Sequence, residues 1–453
     1  MRTKTFFLLL FLSAFGASAQ TLTTLTSFSG ANGANPRYGT LLQATNGNFY
    51  GMTQFGGTSG GNGAVFAATP QGQVTLLDSL NYATGFSPWG GFIQSADGTL
   101  YGTTTQGAFR GWGSVISMTL SGAISTVVTF NGTYGGIESG TLIQSSDRSL
   151  YGTSQFSGSL AGVDGTVFKV SPDGTFTVLH YFGGPDGSTP IAGVTQASNS
   201  NFFGTTSLGG ASNLGTVFKI AADGTFKSIY SFSGADGSQP YAALIQAFNG
   251  NLYGTTYLGG TNNLGTIFQI TPTGQLTVLH NFNGNDGANP TGTLVHGTDG
   301  YLYGTATAGG TSGNGTIFRI SSSGVFTKLY SFHGSDGATP SAGLVQGTDG
   351  SFYGMTTYGG TNGEGTIFRF STGLGSFVRL LPTASTAGST VNILGTDLSG
   401  ATSVSFNGIP AGFTLVSPTQ ITATVPSGSV SGTVQVTLPT GVLSGNTSFR
   451  VIN

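Results

Sequence analysis

One element recurs along almost the whole chain. An aromatic-Gly pair, usually followed by one residue and then Thr, begins at Tyr50, Tyr101, Tyr151, Phe203, Tyr253, Tyr303 and Tyr353, with spacings of 51, 50, 52, 50, 50 and 50 residues. A period of this size means one supersecondary unit copied end to end, each copy unable to bury its apolar faces alone. Around each anchor the same four segments of strand length and composition return, as at 243–246, 252–256, 265–270 and 276–282 of the fifth copy. Turn chemistry separates them at constant places: Asn249-Gly250 or Asp349-Gly350 between the first and second segments, Gly209-Gly210 or Gly359-Gly360 after the second, and Asp173-Gly174 or Asp223-Gly224 before the fourth. Each copy is therefore expected to be a four-stranded antiparallel meander. Seven such sheets packed face to face about an axis bury what one sheet cannot, so the expected fold is all-β: a seven-bladed β-propeller.

Composition agrees with this expectation. The 453 residues include 79 Gly and 15 Pro, yet Gly follows no three-residue period, and 37% hydrophobic content supports a packed core, so collagen and simple disorder are excluded. The segment 22–28 matches a fourth strand although it precedes the first full set, and is expected to close the ring beside 365–370. Phe377 to Leu381 also resembles a fourth strand and competes for that place. Three apolar series are expected to fill the spaces between blades: the Tyr50 series, the series through Phe66, Phe168 and Phe368, and the series through Phe28, Phe182 and Phe332. The first strands carry small residues and end in Gln43, Gln94, Gln144, Gln196, Gln246, His296 and Gln346. That ring is expected to tie neighbouring blades together, the alternative being a ligand-binding ring in the channel.

Residues 1–19 read as an export signal, with Arg2 and Lys4, an apolar run from Phe6 to Phe15, and a small-residue cleavage site at 17–19. No later apolar run reaches the ~20 residues needed to span a bilayer, and no basic stop-transfer tail follows, so no membrane span is expected. There are no cysteines, which excludes disulfides and thiolate chemistry. Without Arg2 and Lys4, 11 basic face 15 acidic residues with no basic run, so no nucleic-acid partner is expected. A secreted or cell-surface monomer follows, without cofactor.

After Leu381 the period stops. The segments Val391 to Gly395, Val404 to Gly408, Ile421 to Pro426 and Gly432 to Val436 resemble the IPT/TIG family of immunoglobulin-like domains, which implies a small β-sandwich over 376–453 serving as a spacer or protein-interaction module. The repeats over 20–375 resemble the choice-of-anchor GloVer-type tandem-repeat proteins. The matching elements are Leu252 to Thr256, Gly259 to Phe268, and Phe232 to Pro240 with its Asp-Gly turn. That resemblance implies an exported, surface-associated protein of bacterial type without an established enzymatic role.

Residues that carry chemistry mostly obey the repeat. His180 and His280 stand where sister copies have Tyr230 and Tyr330, His296 replaces a Gln, and His333 replaces Ser233 or Asn283, so structural or surface roles are expected. Asp186, Asp236, Asp286 and Asp336 share one loop and offer a single carboxylate each, far short of the six to eight oxygens Ca²⁺ takes, so turn formation is expected and no metal. The repeat breaks in copies two and three, where Trp89, Arg110, Trp112, Glu138 and Asp164 collect. These loops, on the rim opposite the tight Asp-Gly turns, are where a ligand is expected, with Trp112 and Arg110 as a flat aromatic face beside a multiple donor and Trp89 and Glu138 near them. The expected partner is an extracellular polysaccharide or a surface protein. The alternative is a secreted carbohydrate-active enzyme using Glu138 and Asp164 as a carboxylate pair.

Overall fold

The computed structural model describes residues 20–452 apart from 59, 109–110, 133–134, 139, 146, 157–163 and 248. The export signal expected at 1–19 lies outside the described residues, as does Arg110. Regular structure is almost wholly β, with a 3-10 turn at Leu398–Gly400 and no α-helix among the described residues. No helix among them is long and apolar enough to cross a membrane.

The repeat becomes seven antiparallel sheets, each running from a two-residue inner strand to a six- or seven-residue outer one. In the fifth the order is Ile245–Gln246, Leu252–Thr256, Thr266–Ile270 and Leu276–Asn281. The third carries an additional strand, Gly136–Glu138, beside Leu150–Phe156. In the seventh the outer place is taken by Thr21–Ser27, paired with Thr366–Ser371 from Thr21↔Ser371 to Ser27↔Thr366. The N-terminal segment thus closes the ring, and Phe377 to Leu381 begins the C-terminal module instead. Closure is also visible in packing. Buried clusters join each sheet to the next, and Phe28, Tyr353, Met355 and Ile367 of the seventh sheet pack with Leu41, Phe49 and Phe66 of the first.

The repeat motif has a steric cause. Gly254 faces Phe268 across the ladder, and a Cβ there would come within 2.7 Å of both that ring and Leu244. The following Thr256 Oγ1 accepts from Thr266 N at 3.0 Å, pairs with Thr266 Oγ1 at 2.9 Å and donates to Leu258 O at 2.9 Å, so the buried hydroxyls are satisfied where strands two and three open into their loop. Each outer hairpin of the first six sheets carries a register shift just before its central apolar residue, as between Ile267 and Phe268, adding the twist that lets sheets pack as blades.

The inner strands are shorter than the sequence suggests. Where seven sheets converge the backbones touch: a Cβ on Gly193 would lie 2.1 Å from Thr141 O, and one on Gly91 2.5 Å from Thr40 O. That crowding leaves only the last two residues of each inner segment in ladder register.

The C-terminal module packs two four-stranded sheets over a core of Val391, Ile393, Phe406, Ile421, Val434, Val436 and Phe449. Its first strand, Arg379–Leu381, pairs with Thr390–Leu394.

Candidate functional site

The axis of the ring has two ends, and they differ. At the end bearing the tight hairpin turns, the glutamine ring behaves as expected. Gln94 Oε1 accepts from Thr45 N at 2.9 Å while its Nε2 donates to Thr45 Oγ1 at 3.1 Å and to Gly98 O at 3.1 Å. Gln346 does the same with Thr298 and Gly350, and Gln43 with Thr348 and Gly47. Each of these three amides thus closes its own turn and clamps the neighbouring sheet. On this end sits the C-terminal module. Asn392 Nδ2 donates to Ala96 O at 3.2 Å, Thr419 Oγ1 to Thr45 O at 3.1 Å and Arg450 Nη1 to Ser198 O at 2.9 Å, while the hydroxyls of Thr396 and Thr348 pair at 2.8 Å. The first, second, fourth and seventh sheets are all engaged, so this end of the axis is covered.

The other end is open. There the loops from strand four to the next strand one meet the loops from strand two to three, and a cavity of about 150 Å³ lies between them. Its walls are Arg37, Tyr38, Tyr257 and Tyr358 with the hydroxyl residues Thr291, Thr307, Thr339, Ser341 and Thr357; none is acidic. The hydroxyls are braced. Thr307 Oγ1 donates to Asn289 O at 2.6 Å, Thr291 Oγ1 to Ser341 O at 2.9 Å and Thr357 Oγ1 to Pro36 O at 3.0 Å, the last across the ring closure.

Beside these walls Tyr241 stacks on Tyr257 at 5.0 Å and donates to Gln239 Oε1 at 3.1 Å, and Trp89 leans on Tyr38 with ring centroids 5.6 Å apart. Arg37 donates to Tyr358 Oη at 3.4 Å. Burial pushes the phenols of Tyr38 and Tyr241 up, with the Arg37 cation opposing the rise at Tyr38, so both stay neutral donors and acceptors near neutral pH. The indole N–H of Trp89 is enclosed without a hydrogen-bond partner.

The residues singled out in the sequence fare differently. Trp89 belongs to this mouth. Trp112 does not share its neighbours: it is half-buried, packed with the second and third sheets and laid over Gly132 and Gly136, where a Cβ on Gly136 would come 2.4 Å from its ring. The backbone of Glu138 pairs with Ser154 in the additional strand. Asp164 holds its place through backbone bonds to Phe182 and Thr189.

The loop aspartates are absorbed by the fold. Asp286 Oδ1 accepts from Asn283 N at 2.9 Å and Oδ2 meets His280 Nε2 at 3.0 Å, and Asp336 repeats the arrangement with His333 N at 2.8 Å and Tyr330 Oη at 2.6 Å. Among the described residues no three His, Asp or Glu side chains come together as a metal site would require.

Missed by sequence reasoning were Arg37, Tyr38, Tyr241, Tyr257 and Tyr358. A signal existed. Five residues before each ring position stand Tyr38, Trp89, Ser139, Ile191, Tyr241, Thr291 and Ser341, and four residues after each anchor stand Gln54, Thr105, Gln155, Ser207, Tyr257, Thr307 and Thr357. Both series change chemistry from copy to copy while the framework stays constant, and Arg37 is an extra residue in the first copy.

The family described as the Gloeobacter/Verrucomicrobia repeat matches residues 39–248 and again 198–408, and the IPT/TIG domain matches 376–451. No curated protein is significantly similar to the chain. Among solved structures, PorZ, a bacterial surface component of the type-IX secretion system of Porphyromonas gingivalis, is 16% identical with a TM-score of 0.46, over 90% of this chain and 58% of its own. A candidate 6-phosphogluconolactonase of Bacteroides uniformis is 15% identical with a TM-score of 0.46, over 72% of this chain and 99% of its own. A gluconolactonase of Xanthomonas campestris is 14% identical with a TM-score of 0.39, over 64% and 86%. None of these likenesses bears on what this chain does.

Proposed function

The chain belongs to the Gloeobacter/Verrucomicrobia repeat family and ends in an IPT/TIG domain, and on that footing we propose that it is an exported, non-catalytic binding scaffold that takes carbohydrate at the open mouth of its ring. Residues 1–19 direct export, 20–375 form the propeller and 376–453 the module, and the chain acts as a monomer. One observation carries the reading. The module occupies one end of the axis, and the exposed end gathers four tyrosines, Trp89 and one cation around braced hydroxyls with no carboxylate in the wall. Flat aromatic faces with neutral hydroxyl and phenol groups suit the apolar faces and hydroxyls of a sugar ring. Glycoside hydrolysis ordinarily needs two carboxylates about the bond, which this mouth does not supply.

The test is a glycan panel run with the exported chain. A retained glycan should bind without release of new reducing or unsaturated ends. Tyr257→Ala and Trp89→Ala should each weaken it roughly tenfold, and Asp299→Asn on the covered rim should not. Turnover of any polysaccharide, or affinity lost at Trp112→Ala but kept at Tyr257→Ala, would overturn the reading.

A further inference from the structure

We propose a second binding site at the opposite end of the axis: the space enclosed between the ring and the C-terminal module takes a small organic carboxylate with an apolar body, held by Arg379. This goes beyond carbohydrate binding at the mouth and shares no residue with it.

The placement of Arg379 follows from strand alternation. In Arg379–Leu381, Leu380 points into the module core and is buried, so its neighbours Arg379 and Leu381 face the other way, toward the ring. There they border a cavity of about 340 Å³, a size at the lower end of small-molecule sites. Leu42, Ile245, Val295, Val345 and Leu381 make its walls largely hydrocarbon. Of the amides that line it, Gln43, Gln94 and Gln346 hold the clamps between sheets, and Asn446, whose Oδ1 has no hydrogen-bond partner among the described residues, is the one left over.

The guanidinium stands out in these surroundings. Arg379 is half-buried and borders the cavity. Burial pulls its pKa down from 12.5 to about 10, so it remains a cation at neutral pH. Among the described residues it forms no ion pair, and the hydrogen bond it makes is from Nη2 to the carbonyl of Gln43. A guanidinium has five N–H donors in a fork that matches a carboxylate. A cation withdrawn from water without a counter-charge is costly, and a bound anion removes that cost. Hydrocarbon walls around a single fork select an anion with an apolar body over a strongly hydrated one such as inorganic phosphate.

The experiment uses the full exported chain and titration calorimetry with octanoate, octanol and inorganic phosphate. Octanoate should bind one to one and raise Tm, at least roughly tenfold tighter than octanol, which has the same body without the charge; phosphate should not compete. Arg379→Met should erase the preference for octanoate over octanol, Arg379→Lys should weaken it, and Tyr257→Ala should leave it unchanged. Equal affinity of the unmodified protein for octanoate and octanol, or no binding of octanoate at all, would overturn the proposal, and that comparison needs no variant to fold. Octanoate affinity lost in Tyr257→Ala but kept in Arg379→Met would overturn it as well, by placing the ligand at the mouth.

Discussion

Whether the N-terminal strand latches the ring can be measured at one side chain, Phe28. It is fully buried, meets Phe66 of the first sheet edge to face at 5.4 Å, and shares a cluster with Leu41, Phe49, Tyr353 and Ile367. Its counterpart Phe232, in the middle of the chain, is 1% exposed and meets Phe268 at 5.3 Å. Truncating a core Phe to Ala costs about 3–5 kcal/mol, the transfer of the ring plus the cavity left behind. With unfolding entropy of about 2.1 cal/mol/K per residue over roughly 350 residues of ring, that is a fall in Tm of roughly 4–7 °C. Phe28→Ala and Phe232→Ala should therefore shift the calorimetric midpoint by similar amounts, although one lies in a terminal segment that would ordinarily tolerate change. The latch also contributes the ladder from Thr21 to Ser27, so deleting residues 20–29 should cost more than Phe28→Ala alone. A shift below about 1 °C for Phe28→Ala beside a full shift for Phe232→Ala would refute the closure, because a frayed terminus loses nothing when its Phe is removed.

Two further predictions concern pH. His180 and His280 lie face to face with Phe226 and Phe326 at 3.6 and 3.8 Å, and burial, opposed by Asp186 and Asp286, holds both imidazoles below their ordinary value. A lowered folded pKa means this stability is present above about pH 6.5 and is lost as pH falls. The double variant His180→Tyr with His280→Tyr, which installs the residue that Tyr230 and Tyr330 carry, should flatten the acid limb of a Tm-against-pH curve; an unchanged limb would disprove the assignment. At the alkaline end, burial and then the carboxylates of Asp299 and Asp236 push Tyr303 and Tyr230 up to about 12. Their stabilisation is complete below about pH 10 and is lost as pH rises toward 12, so tyrosinate absorbance of the native protein should show a late-ionising class that Tyr303→Phe diminishes, and a single ordinary transition would contradict it.

Local chemistry was enough to establish the repeating unit. Asp-Gly and Asn-Gly turns, an aromatic-Gly pair every fifty residues and apolar series with strand periodicity act within or between adjacent segments, so they are legible in one dimension. The same applies to the loop aspartates and the glutamine ring, whose partners stand at constant offsets, and to the four histidines, which obey the repeat. Tertiary structure decided whatever depended on meeting across the ring. Thr21–Ser27 and Phe377 to Leu381 look alike as strands, and only the geometry of closure, with Phe28 inserted between the seventh and first sheets, assigned one to the ring and the other to the module. Departures from the repeat drew sequence reasoning to Trp112, yet Trp112 covers glycines between two sheets, while Tyr38, Tyr241, Tyr257 and Tyr358, from three different copies, converge on the axis. Arg379 is one basic residue among thirteen in the sequence; its enclosure exists because the module folds back over the end of the ring. Convergence on an axis and burial between domains are sums over distant segments, and no local pattern of residue types encodes them.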